Sequence, residues 1–156
     1  MGYDLHAVIA EDAALRRAAR DVPVARIAAL GQGLALMPMT GALPDAVAQG
    51  GGERALGFWR LSQGWVKQLA AWSAGGPVAY VEAEYFGGTG EQRAVVWEGG
   101  GVVLGPVHVG EGQRFSSLGS PVSQALRRLG ASVGSAVDEF EAVGLDRHRN
   151  DDAWIR

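Results

Sequence analysis

Residues Pro77–Val109 read PVAYVEAEYFGGTGEQRAVVWEGGGVVLGPVHV, and this stretch decides the fold class. Val78–Phe86 alternates in polarity, and Gly87-Gly88-Thr89-Gly90 interrupts it. Gln92–Trp97 resumes the alternation, Gly99-Gly100-Gly101 breaks it again, and Val102–Val109 closes the run. Strand-length runs separated by short glycine-rich turns predict an antiparallel meander at the centre of a folded domain.

Upstream of the meander, Phe58, Leu61, Trp65, Leu69 and Trp72 fall at spacings of three and four. That spacing predicts a helix with a tryptophan-bearing stripe, which Trp59 and Val66 widen. Gly64 is expected inside it, at a cost of roughly 1 kcal/mol relative to alanine. Gly75-Gly76-Pro77 ends the helix. Further upstream, Val24–Leu30 and Leu34–Met39 flank Gly31-Gln32-Gly33, as the arms of a hairpin do, with Pro38 near a strand end or on an edge. Pro44–Val47 suits a single helical turn, and Gln49–Glu53 is the most flexible segment expected. At the start, Tyr3–Ile9 alternates as a strand, and Glu11–Arg20 opens with acids and continues with arginines, as a helix dipole favours.

Downstream, Glu111–Gly119 reads as a loop. Ser120-Pro121 is a helix start, with Ser as cap and Pro in the first turn, and Gly130 is its stop. A last short helix is expected near Asp138–Gly144, followed by a polar run from Asp146 to Asp152 and an apolar anchor at Trp154-Ile155. The order β, α, ββ, α, βββ, α, α predicts one α+β domain over residues 1–156. Its sheet is expected to be mixed but mostly antiparallel, with about six strands and helices chiefly on one face. Only the first strand–helix–strand unit offers a parallel crossover.

The composition agrees with a globular chain: 156 residues, 47% hydrophobic, 20% charged, net charge −3. No basic block tracks a phosphate backbone, which argues against nucleic acid as a partner. The absence of cysteine excludes disulfides and thiolate chemistry. The longest uncharged run, Ile27–Pro44, is interrupted by Gly31, Gly33 and Pro38 and is no membrane span. Met1-Gly2-Tyr3-Asp4 lacks the basic start of a secretion signal, so a cytoplasmic location is expected. Lys67 stands alone against thirteen arginines among 14 basic residues, the mark of a GC-rich genome rather than of selected guanidinium sites.

Glu82 and Glu84 are the candidate functional residues. Two apart on a strand, they share a face with Tyr80 and Phe86, about 7 Å from each other at the backbone. Ala79, Val81, Ala83 and Tyr85 form the more apolar face, which is expected to meet the tryptophan-bearing helix, leaving the glutamates turned to water. Paired carboxylates suit a basic partner, acid–base work or a metal, and a solvated outer face is the plain structural reading. Glu91 adds a third acid, and Arg93 is placed for a cross-strand pair with a glutamate. Gly87–Gly90 leads into a strand and has no lysine beside it, so it is a turn and not a phosphate cradle. His6, His108 and His148 have no ligand spacing, and Ser116, Ser117 and Ser120 sit in no nucleophile frame. No metal, cofactor or catalytic residue is assigned.

Four segments carry a resemblance: Gly31–Pro38 (GQGLALMP), Ala79–Gln92 (AYVEAEYFGGTGEQ), Ser120–Gly130 (SPVSQALRRLG) and Asp138–Leu145 (DEFEAVGL). Together they resemble a family of small uncharacterised proteins from GC-rich actinobacteria, which implies no activity. In size, acidity and α+β pattern the chain is also similar to immunity proteins of bacterial toxin systems. That likeness implies a non-enzymatic protein that covers a basic partner through Glu82, Glu84, Tyr80, Phe86, Glu91 and Arg93. The alternatives are a small hydrolase or ligand-binding enzyme built on Glu82 and Glu84, and a self-associating subunit that forms a homo-oligomer through a sheet edge or face.

Overall fold

A computed structural model describes residues 2–47 and 53–156. In chain order the elements are β1 (Gly2–Glu11), α1 (Asp12–Ala18), β2 (Ala28–Ala29), β3 (Leu34–Pro38), α2 (Gln63–Trp72), β4 (Val78–Phe86), β5 (Thr89–Glu98), β6 (Gly101–Val109), α3 (Pro121–Arg128) and α4 (Glu139–Val143). Short 3₁₀ turns at Leu145–Arg147 and Asp151–Ile155 close the chain. The fold is a single α+β domain around one six-stranded sheet of order β2-β3-β1-β4-β5-β6. The meander is β4-β5-β6, with Val78 opposite Trp97 and Phe86 opposite Thr89.

Two details of the expected architecture are corrected. Every strand pair is antiparallel, so the sheet is not mixed. The strand that follows α1 does not pair with β1, because β3 folds back between them and pairs with both. The helices also lie on both faces. On one face α3, α4 and Trp154 pack over Leu5, Ala7, Ile9, Ala79, Val81 and Ala94. On the other, Leu15, Phe58, Leu61, Trp65 and Leu69 pack over Val8, Met37, Tyr80, Val95 and Trp97. The tryptophan-bearing helix α2 therefore covers the glutamate side of β4, the opposite of what the apolar count of the two faces suggested. Six consecutive residues, Val78–Glu82 and Ala83, are buried, which is the burial of a strand covered from both sides.

Local boundaries follow from capping chemistry. Ser120 and Ser62 cap α3 and α2 by accepting from Ser123 N and Trp65 N, and Asp138 caps α4 through Glu141 N. The Phe58–Trp72 stripe is helical only from Gln63, which leaves Gly64 near the helix start rather than mid-helix. Leu56 and Gly57 both take positive φ, and Arg54 bridges to Ser62, so the segment before α2 is a looped strap that buries Phe58 and Leu61 without being helical. The arm expected over Val24–Leu30 shrinks to Ala28–Ala29. The flexible segment expected at 49–53 falls, apart from Glu53, outside the described residues.

One open edge of the sheet is β6. Pro106 donates no backbone hydrogen bond, and the register against β5 shifts between Ala94 and Trp97, two devices that discourage another strand from adding there. Among the described residues no helix is long and apolar enough to cross a membrane.

Candidate functional site

The face of the sheet that carries the glutamates is divided along its length. Val8, Tyr80, Val95 and Trp97 make one half, sealed by α1, α2 and the strap. His6, Glu82, Glu84, Glu91 and Arg93 lie in the other half, since strand alternation keeps them on the same side.

Glu82 is 0% exposed, which corrects the expectation that it faces water. The strap makes this burial tolerable. Trp59 N donates to Oε1 at 2.6 Å, Arg60 N donates to Oε2 at 2.8 Å, and Tyr80 Oη donates to Oε2 at 2.7 Å. Three donors on one carboxylate replace its hydration, the condition for keeping a charge inside. Burial, and then the Glu82 charge, hold the Tyr80 hydroxyl well above the usual tyrosine range, so it remains a donor.

His6 is the second buried polar group, 1% exposed. Its Nδ1 lies 2.7 Å from Asp151 Oδ2 and its Nε2 lies 2.7 Å from Glu84 Oε2. Its backbone N–H donates to Asp151 Oδ1 at 2.8 Å. The Glu84 side chain is 43% exposed, so it joins the buried network to the surface. Burial pushes the His6 pKa down, but the hydrogen bond and charge of Asp151 and the hydrogen bond of Glu84 outweigh it, and the net direction is up. Arg60 opposes that rise and also bonds Asp151 Oδ2 at 3.3 Å and the Met39 carbonyl at 3.1 Å.

The C-terminal segment is held here for a backbone reason. β3 pairs with β1 only from Ala7 onward, so the first half of that edge of β1 has no strand beside it. The orphaned donors are met instead by Arg149, whose carbonyl accepts from Asp4 N at 2.8 Å, and by the Asp151 carboxylate at His6 N.

The six residues singled out from sequence are thus distributed over three environments. Tyr80 and Glu82 are interior. Glu84 and Glu91 are partly exposed, and Phe86 is 78% exposed at the end of β4. The guanidinium of Arg93 lies 4.6 Å over the Trp59 ring and pairs with Glu91 at 3.3 Å, its neighbour on the same strand. It does not pair with Glu82, its cross-strand partner in register, whose oxygens are taken by the strap. Glu91 also meets His108 at 2.9 Å.

Sequence reasoning missed His6, Asp151, Arg60 and Trp59 as members of one site. The signal for His6 was its place on the same strand face as Val8 and Ala10, a core face. The signal for Asp151 was a cap: Asn150 Oδ1 accepts from Ala153 N, so Asn150-Asp151-Asp152 starts a turn that anchors Trp154 and is no solvated tail.

Chemically, the cluster can store a proton and hold backbone. Both His6 nitrogens and both Glu82 oxygens are engaged at hydrogen-bond distance, so neither group presents a free position to a substrate. Among the described residues, no group of three or more acidic or histidine side chains is arranged to hold a metal ion. Comparison with protein-family models, curated proteins and solved structures gave no match.

Proposed function

We propose that this chain is a non-enzymatic protein-binding domain, of the immunity type, that covers a basic surface of a toxin or similar partner. The observation that carries the reading is Phe86, a large apolar side chain 78% exposed beside the partly exposed Glu84 and Glu91 and the exposed Asp4. Aromatic anchors bordered by charge are the residues that dominate protein interfaces. Asp4 and Glu84 are register partners on β1 and β4, and Glu84 and Glu91 on β4 and β5, so three strands present acids beside one ring. Tyr80 and Glu82 support that surface from below and leave the contact role to Phe86, Glu84, Glu91 and Arg93. The hydrolase alternative built on Glu82 and Glu84 has less support, because both Glu82 oxygens are occupied by Trp59 N, Arg60 N and Tyr80 Oη. The cytoplasm is the setting of this reading, as the acidic Met1–Asp4 start suggests.

The test is capture from native cell extract on immobilised protein, in parallel with Phe86→Ser and Glu91→Lys. A specific protein retained by the native chain at low salt, released as salt rises and lost with both variants, is the expected result. Retention that is equal on all three surfaces removes this face as the interface.

A further inference from the structure

We propose that His6 is a proton-held clasp: as an imidazolium it bridges Glu84 on β4 to Asp151 of the C-terminal segment, and loss of that proton loosens the segment from the unpaired edge of β1. The argument begins with geometry. Each ring nitrogen faces a carboxylate oxygen at 2.7 Å. Ionised carboxylates only accept hydrogen bonds, so both nitrogens must donate, and only the protonated ring has two N–H groups. A neutral ring would turn one lone pair toward a carboxylate oxygen, at a distance where the two repel.

The groups around the ring come from four elements. Asp4 lies two residues before it on β1, and β4 supplies Glu84, Glu82 and the Tyr80 hydroxyl bound to Glu82. The strap supplies Arg60, with the Trp59 ring edge-on at 6.2 Å, and the C-terminal segment supplies Asp151 and its neighbour Asp152. Glu82 is already satisfied by three donors, so Glu84 and Asp151 are the carboxylates that need the imidazolium. On deprotonation Asp151 keeps the His6 backbone N–H and Arg60 but loses the cation beside its Oδ2, which weakens the hold on its segment, and Glu84 loses its only hydrogen bond among the described side chains and can turn to water.

The sign follows from the direction of the shift. The folded ring is raised above its ordinary value of 6.5, so its contribution is complete below that value and is lost as pH climbs past the raised folded value. Asp151 and Arg60 also wall a cavity of about 530 Å³ with Asp4, Met39 and Asn150, and opening the clasp would widen it. This device does not depend on the proposed partner.

The experiment is ring ¹⁵N NMR of the whole protein across the pH range, alongside amide exchange at residues 149–155 normalised for intrinsic base catalysis. His6 is expected to show two protonated ring nitrogens at pH 6.5. Protection of the segment is expected to fall about tenfold per unit by which the ring pKa is raised, following the same titration. Glu84→Gln offers the neutral ring an amide donor, so its titration and its loss of protection are expected to move together to lower pH. His148, which packs on Trp154 at 4.6 Å, is controlled by His148→Asn, expected to leave the profile unchanged. A His6 ring that is a single neutral tautomer at pH 6.5, or segment protection that ignores its titration, overturns the proposal.

Discussion

The two halves of the glutamate-bearing sheet face are sealed by opposite means. In the apolar half, Trp65, Phe58 and Tyr80 fill space. Trp65 and Trp72 meet edge to face at 5.8 Å, as Phe58 and Tyr80 do at 5.0 Å, and the one polar atom of Trp65 donates to the Leu43 and Pro44 carbonyls at 3.2 Å. In the polar half the same strap descends on charge, and its backbone N–H groups at Trp59 and Arg60 grip Glu82. Packing fails through lost volume and contact, whereas a buried carboxylate is tolerable only while its donors stay in place. The strap is therefore held by volume at Phe58 and Leu61 and by hydrogen-bond count at Trp59 and Arg60 between them.

The largest effect should come from the apolar half. Trp65→Ala removes a fully buried indole and is expected to cost about 3–5 kcal/mol in urea unfolding. A loss under 1 kcal/mol would mean that the strap and not the helix seals this side. Next is Glu82→Gln, which preserves shape but turns an amide N–H₂ toward one or two of the three donors. A loss of about 1–3 kcal/mol is expected, with faster exchange at the Trp59 and Arg60 amides. Unchanged exchange there would show that the strap is held by Phe58 and Leu61 alone. The smallest effect is expected from Phe86→Ser, within about 0.5 kcal/mol of the native stability while partner capture is lost. If it unfolds the chain instead, the exposed ring is structural and the interface reading fails.

The legible parts of the fold were those where local chemistry decides. The β4-β5-β6 meander was readable because alternation and glycine turns report on the strand itself. Ser120-Pro121 was readable because a cap is a contact within four residues. Phe58 and Leu61 misled because a looped strap and a helix bury the same residue types, and only the positive φ at Leu56 and Gly57 separates them. Glu82 misled for a related reason. Alternation assigns it to a face, but which layer covers that face depends on donors supplied from 23 residues upstream. His6 and Asp151 are 145 residues apart, and no pattern within either neighbourhood records the other.

That separation has a consequence for synthesis. The first strand leaves the ribosome early, with Asp4 and His6 offering amides that no nearby segment can satisfy, and their acceptors at Arg149 and Asp151 emerge only after the rest of the domain. Until then the nascent chain carries a raw half-edge beside a histidine without its counter-ions, a stage open to wrong pairing with other chains. Emergence of Arg149 and Asp151 is thus the step that closes the open edge of β1.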